Sequence, residues 1–180
     1  MILLASSSQT RAMILKQRGV EFTQNGCDFN EDLIVASSPK NFVYQATLGK
    51  YEECKKKYGL DIPLLVADTV VSSCGEILRK AKDRDDAKRI LNLQSGNKVS
   101  IITCMIFSSN SLYLLDISST DYFFKAFDKV SLDNYLDSND WQGKAGACMV
   151  EGFCKPYIKS TIGLESTAMG LTIEKILPYV

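Results

Sequence analysis

A single carboxylate, Asp68, stands inside the otherwise apolar run PLLVADTVV at residues 63–71, and a lysine, Lys80, follows it across a turn. Moving an ionised carboxylate out of water costs on the order of several kcal/mol unless a cation, a metal or hydrogen-bond donors compensate it. Asp68 is therefore either a structural anchor or part of a site. Ser72, Ser73, Cys74 and Gly75 supply turn chemistry before EILRK resumes an extended pattern, which predicts a hairpin. With the turn centred on Cys74 and Gly75, Asp68 falls near Lys80, and a plain ion pair is the simpler account of both charges. A second cluster, LASSSQTR at residues 4–11, joins serine hydroxyls to Arg11 where a strand gives way to a helix. Free helix-start N–H groups, hydroxyls and a guanidinium can together face a phosphate, although serine at a helix start is most simply an N-cap. Neither the GxxxxGK[ST] nor the GxGxxG phosphate loop is present.

The rest of the composition narrows the chemistry. Histidine is absent, which removes Ser-His and Cys-His nucleophiles and histidine-ligated zinc. Acid-base and metal work must fall to Asp, Glu, Lys, Arg, hydroxyls or water. Lysine plus arginine and aspartate plus glutamate balance at 21 each, so no global field draws the chain to a nucleic acid polymer or an anionic membrane. No apolar run is long enough to span a bilayer and MILLASSSQTR is too short for a signal peptide, so a cytoplasmic protein is expected. The six cysteines, at 27, 54, 74, 104, 148 and 154, form no CxxC pair and read as reduced thiols.

Those side chains need a scaffold, and its outline is legible. Ile2 to Leu4 read as a buried strand, followed by a serine turn and a helix. GVEFTQNGCDF gives a second extended piece leading to an acidic turn at Asn30, Glu31 and Asp32, and residues 39–57 read as a helix. After the hairpin, DRDDAKRILNL from Asp83 has an acidic start and one apolar face, and Gly96-Asn97 ends it. Val99 to Phe107 is a strand, and Leu112 through Phe127 predicts two more. SLDNYLDSN predicts a helix capped by Ser131, YIKSTIG an extended piece, and residues 167–177 a terminal helix. At 180 residues, these alternating elements point to a single α/β domain, 1–180, with a mixed twisted β-sheet and flanking helices.

One order of motifs ties these pieces together: LASSSQTR, Glu31, Lys50, LLVADTVV with Lys80 and DAKRILNLQSG behind it, then KAGACMVEG. In that order the chain resembles the Maf family of nucleoside triphosphate pyrophosphatases. The family pattern runs LAS-x-SPRR, an acidic turn, ADT-V with a downstream KP, AGAY-x-QG and a final GLP. The resemblance implies a Maf/ITPase-like fold of two lobes around a central cleft. It implies hydrolysis of the α-β phosphate bond of a noncanonical or pyrimidine nucleoside triphosphate, with Mg²⁺ or Mn²⁺ as cofactor. Carried over by position, the catalytic aspartate falls on Asp68. Phosphate-binding positions fall on Ser6, Ser8, Arg11, Lys50 and Lys80; Lys144, beside the AGA turn, is a lower-ranked candidate from its place in the chain, with a surface charge as the competing account. Glu31 and Asp68 are the metal positions, and Thr10, Thr69 and Glu151 are those that vary with the base. On residue type alone, Glu31 and Lys50 would be taken for solvated surface charges.

Departures from the family pattern fall on the opening loop and the base pocket. Gln9 and Thr10 replace the proline and first arginine of SPRR, Ala81 replaces the proline after Lys80, and Cys148 stands at an aromatic position. Thr69 resembles the pyrimidine-type members and Glu151 the methylguanine type, so the favoured base is left open, as is a homodimer. Two other classes compete with the enzyme: a nucleotide-binding regulatory protein linked to septum formation with weak turnover, and an α/β interaction domain with no small ligand.

Overall fold

The computed structural model describes residues 1–27, 29–148, 150 and 152–180. Seven strands, β1 (Ile2–Leu4), β2 (Phe22–Gln24), β3 (Leu64–Ser73), β4 (Glu76–Leu78), β5 (Lys98–Ser108), β6 (Tyr113–Phe124) and β7 (Ile158–Ile162), form one mixed sheet. Its order is β2-β1-β3-β5-β6-β7, with β4 paired to β3. Among the described residues five helices accompany them: α1 (Gln9–Gln17), α2 (Pro39–Tyr58), α3 (Arg84–Gln94), α4 (Lys129–Ser138) and α5 (Glu165–Ala168). The expected α/β class with a mixed sheet is therefore observed. The chain divides into two compact units, to which β3, β5 and β6 each contribute.

The first unit comprises Met1–Thr69, Ile102–Ser119 and Leu164–Val180. Here β1 lies parallel to both neighbours, with Leu3 opposite Thr23 on one side and Leu64 on the other. Side chains alternate across a strand, so each strand feeds two cores. Ile2, Leu4, Leu65, Ala67, Met105 and Phe107 pack with Ala12, Ile14 and Leu15 of α1 and with Leu171, Ile173 and Ile176. Leu3, Ala5, Leu64, Val66 and Ile106 pack on the opposite face with Tyr51 and Cys54 of α2. This double burial explains why the strands read as continuous apolar runs.

The second unit comprises Val70–Ile101 and Thr120–Gly163. Its hairpin closes on Cys74 and Gly75, both at positive φ (52° and 81°), the two-residue turn whose twist matches the strands it joins. Asp83 caps α3 by accepting from the Asp86 N–H at 2.8 Å. The rings of Phe124, Phe127, Tyr135, Phe153 and Tyr157 form a contiguous cluster.

Four expectations need correction. Residues 113–124 form one strand, because nothing in YLLDISSTDYFF breaks the ladder. The α4 helix starts two residues early, on the carboxylate of Asp128, which accepts from the Ser131 N–H at 2.8 Å; Ser131 is the residue being capped. No long C-terminal helix forms, since Gly170 at φ 97° turns the chain after the one turn of α5. Finally, four cysteines are paired: Cys27 with Cys54, Cα atoms 5.8 Å apart, and Cys148 with Cys154, 6.4 Å apart. Spatial approach decides this pairing, and CxxC spacing is not required for it.

Candidate active site

Asp68 and Thr69 are consecutive in β3, so their side chains leave the sheet on opposite faces. By alternation Asp68 joins the face of Leu64 and Val66, which α2 covers, and Thr69 the face of Leu65 and Ala67, which α1 covers. The charge in the apolar run thereby organises one cluster and its neighbour another.

On the α2 face the partner of Asp68 is Lys50. The buried stripe of α2 runs Val43, Ala46, Thr47, Tyr51 and Cys54, and Lys50 sits within it, one helical heptad after Val43. Its ammonium reaches Asp68 Oδ1 at 2.7 Å and Glu31 Oε1 at 2.6 Å. Asp68 is only 9% exposed, which makes this cation its principal compensation. The salt bridge of Asp68 is thus made by Lys50 of the facing helix α2, where the sequence suggested Lys80. Glu31 opens a short 3₁₀ turn whose N-cap is Asn30. Three contacts hold the preceding loop against α2: the Cys27–Cys54 disulfide, the Tyr58 hydroxyl donating to Gly26 O at 3.1 Å, and the Phe29 ring lying on Gly49. A Cβ at Gly49 would overlap that ring.

On the α1 face Arg11 is the hub. Its Nη1 donates to Ser6 Oγ at 3.0 Å, its Nη2 to Thr69 Oγ1 at 3.1 Å and its Nε to Gly170 O at 2.8 Å. Burial lowers the pKa of this guanidinium and Asp68 opposes the shift, but an arginine so placed stays charged. Ser8 is the N-cap of α1, accepting from the Arg11 N–H at 3.3 Å, which is the simpler of the two roles open to it. Ser6 Oγ also accepts from the Ser8 N–H at 3.2 Å. Gln24 completes the loop by donating to Ser6 O at 2.7 Å and Ser8 O at 3.2 Å. Thr10 is exposed on α1.

Sequence reasoning missed Gln24, Thr103, Thr167 and Gly170 in this network. A lone hydroxyl residue in the apolar run IITCMIF was the available signal for Thr103. Gly170 is needed there: at φ 97°, a Cβ would also come within 3.1 Å of Thr69 Oγ1.

In the second unit, exposed Lys80 forms a backbone bridge with Ala145, and the Gly146 N–H donates to Leu78 O and Arg79 O, both at 3.1 Å. The KAGA segment thus lies against the residues leading to Lys80. Gln94, the glutamine of the NLQSG motif, donates to Gly146 O at 2.6 Å, and a Cβ on Gly146 would come within 3.0 Å of Val71. Lys144 precedes this turn and is half-buried. Glu151, the expected base-facing residue, lies outside the described residues.

Among the described residues no three His, Cys, Asp or Glu side chains gather as a metal-binding group. The pair Glu31 and Asp68 does converge on one cation, the Lys50 ammonium. Two hard oxygen donors at a spot that already holds positive charge fit Mg²⁺ or Mn²⁺, which take one or two carboxylates and complete their shell with phosphates and water.

The family model described as Maf-like protein matches residues 1–180. A protein from a Nitratiruptor species, called nucleoside triphosphate pyrophosphatase, is 54% identical over 178 residues, covering 98% of this chain and 96% of its own. Proteins of the same name from Helicobacter pylori and Campylobacter jejuni subsp. doylei are 39% and 36% identical. The first covers 98% of this chain and 93% of its own, the second the whole of both.

Proposed function

The chain belongs to the Maf-like protein family, and from that premise we propose that it is a nucleoside triphosphate pyrophosphatase with Asp68 as its general base. The observation that carries the residue assignment is the Glu31–Lys50–Asp68 cluster. Lys50 occupies Asp68 Oδ1, which leaves Oδ2 to orient a water and take its proton as the water oxygen attacks the α-phosphorus. The bond from the α-phosphorus to the bridging oxygen then breaks, and pyrophosphate leaves with its electron pair. Phosphoryl transfer of this kind rests on positioning and charge neutralisation. Lys50 and the Arg11 guanidinium supply fixed positive charge, and the first-turn amides of α1 add an oriented dipole. Glu31 and Asp68 would hold Mg²⁺ or Mn²⁺, which would neutralise phosphate charge there.

Lys80 is proposed as a further phosphate ligand from its place in the motif order, and its Lys80→Gln variant should show a raised KM. A cytoplasmic setting is retained from composition; among the described residues no helix is long and apolar enough to cross a membrane. The test is a nucleotide panel with either metal, with pyrophosphate as readout. Asp68→Asn should lower kcat by roughly 10²–10⁴-fold, the usual contribution of a general base. Near-wild-type activity in that variant would remove the role given to Asp68, and orthophosphate as product would reject attack at the α-phosphorus.

A further inference from the structure

The geometry assigns Thr103 as a positioning residue for the nucleotide site, acting through Thr69 and Gly170 on Arg11; this rests on the reading that Arg11 and Thr69 meet the substrate. Thr103 is fully buried in β5, two residues before Met105 and so on the same face as Ala67, Thr69 and α1. Its hydroxyl donates to Thr167 O at 2.8 Å and lies 2.9 Å from Thr69 Oγ1.

A threonine hydroxyl has one proton. The carbonyl of Thr167 can only accept, so Thr103 spends its proton there and must receive the proton of Thr69. Thr69 in turn accepts from Arg11 Nη2 at 3.1 Å. The chain therefore runs one way, from Arg11 through Thr69 and Thr103 to Thr167 O, and each bond polarises the next. Half-buried Thr69 is left with a lone pair as its only free hydrogen-bonding capacity, so toward a ligand it is an acceptor and never a donor.

Thr103 also supports a second acceptor of Arg11. Thr167 O receives the Gly170 N–H at 3.0 Å as well as the Thr103 hydroxyl, and the carbonyl of that same Gly170 takes Arg11 Nε at 2.8 Å. Two of the three groups that orient the guanidinium thus lean on one buried hydroxyl that would touch no substrate.

Steady-state kinetics on UTP, dTTP, CTP and GTP should be compared for wild type, Thr69→Val, Thr103→Val, the double variant and Thr103→Ser. Losing one hydrogen bond of this kind should raise KM roughly 3- to 10-fold with kcat little changed. The double variant should be no worse than the worse single one, and Thr103→Ser, which keeps the hydroxyl, should match wild type. A raised KM in Thr69→Val with a wild-type KM in Thr103→Val overturns the positioning role and leaves the site intact. Additive effects in the double variant overturn it equally. Unchanged KM in Thr69→Val shows instead that the underlying site is misassigned, and the proposal falls with it. Should Thr103→Val fail to fold, the wild-type protein still decides: the Thr103 hydroxyl proton should be protected from solvent exchange by NMR, and rapid exchange overturns the chain.

Discussion

Asp68 and Thr69, neighbours in β3, serve opposite faces of one sheet: Asp68 Oδ1 lies 2.7 Å from Lys50 on α2, and Thr69 Oγ1 lies 3.1 Å from Arg11 on α1. The ADT motif is compact because strand alternation lets two adjacent residues engage two different helices. A one-residue slip in β3 would exchange the faces and separate both residues from their cations.

Lys50 is the cation that lets Glu31 and Asp68 approach each other. Lys50→Met should abolish most turnover and destabilise the fold by roughly 3 kcal/mol, as expected when a partly buried pair loses one member. If those carboxylates hold a divalent cation, Mg²⁺ should raise the melting temperature of Lys50→Met more than that of wild type. Equal shifts in both proteins would count against Glu31 and Asp68 as metal ligands.

Gly49 makes room for Phe29, and Phe29 sits two residues before Glu31. Gly49→Ala should gain helix propensity of about 1 kcal/mol yet push the ring and its loop off α2. The expected result is a several-fold loss of kcat/KM with a melting temperature close to wild type. Unimpaired catalysis would show that the loop position does not matter to the site.

The Cys27–Cys54 disulfide closes a loop with a sequence separation of 27 residues that includes Glu31. By chain entropy, a cross-link of that span is worth roughly 3–4 kcal/mol. Unfolding in guanidinium chloride with and without dithiothreitol should show that loss, and Cys54→Ser should lower the oxidised midpoint toward the reduced one. Coincident curves would mean the bond contributes nothing.

Thiol reactivity offers an independent check on cysteine placement. Cys74 is exposed at the hairpin tip, whereas burial pushes the Cys104 thiol up to about 11 despite its contact with Thr47. A raised thiol pKa means the neutral form persists at pH 8, so alkylation there should modify Cys74 rapidly and Cys104 only after unfolding. Two fast-reacting thiols in the unreduced protein would contradict the assignment.

Much of this was readable from residues alone. The short strand before LASSSQTR, the helix from residue 39, the hairpin turn and the acidic helix start at Asp83 all follow from local periodicity, caps and turn residues. Glycine and asparagine placements and apolar spacing act within one element, so they survive outside the fold. The C-terminal segment did not, because its apolar spacing suits a helix while Gly170 answers to Arg11 and Thr69, far away in the chain.

What the sequence by itself determined was the order of chemical groups: a carboxylate in an apolar strand, a serine-arginine loop, a basic helix and the absence of histidine. Tertiary structure alone decided the partners. Lys50 is the counter-ion of Asp68 because helix packing brings α2 over that face of β3. The cysteine pairs and the Thr69–Thr103–Thr167 chain likewise link residues whose separation in sequence carries no periodic signal. Hydrogen bonds and ion pairs act over about 3 Å, and only a folded sheet brings such residues that close.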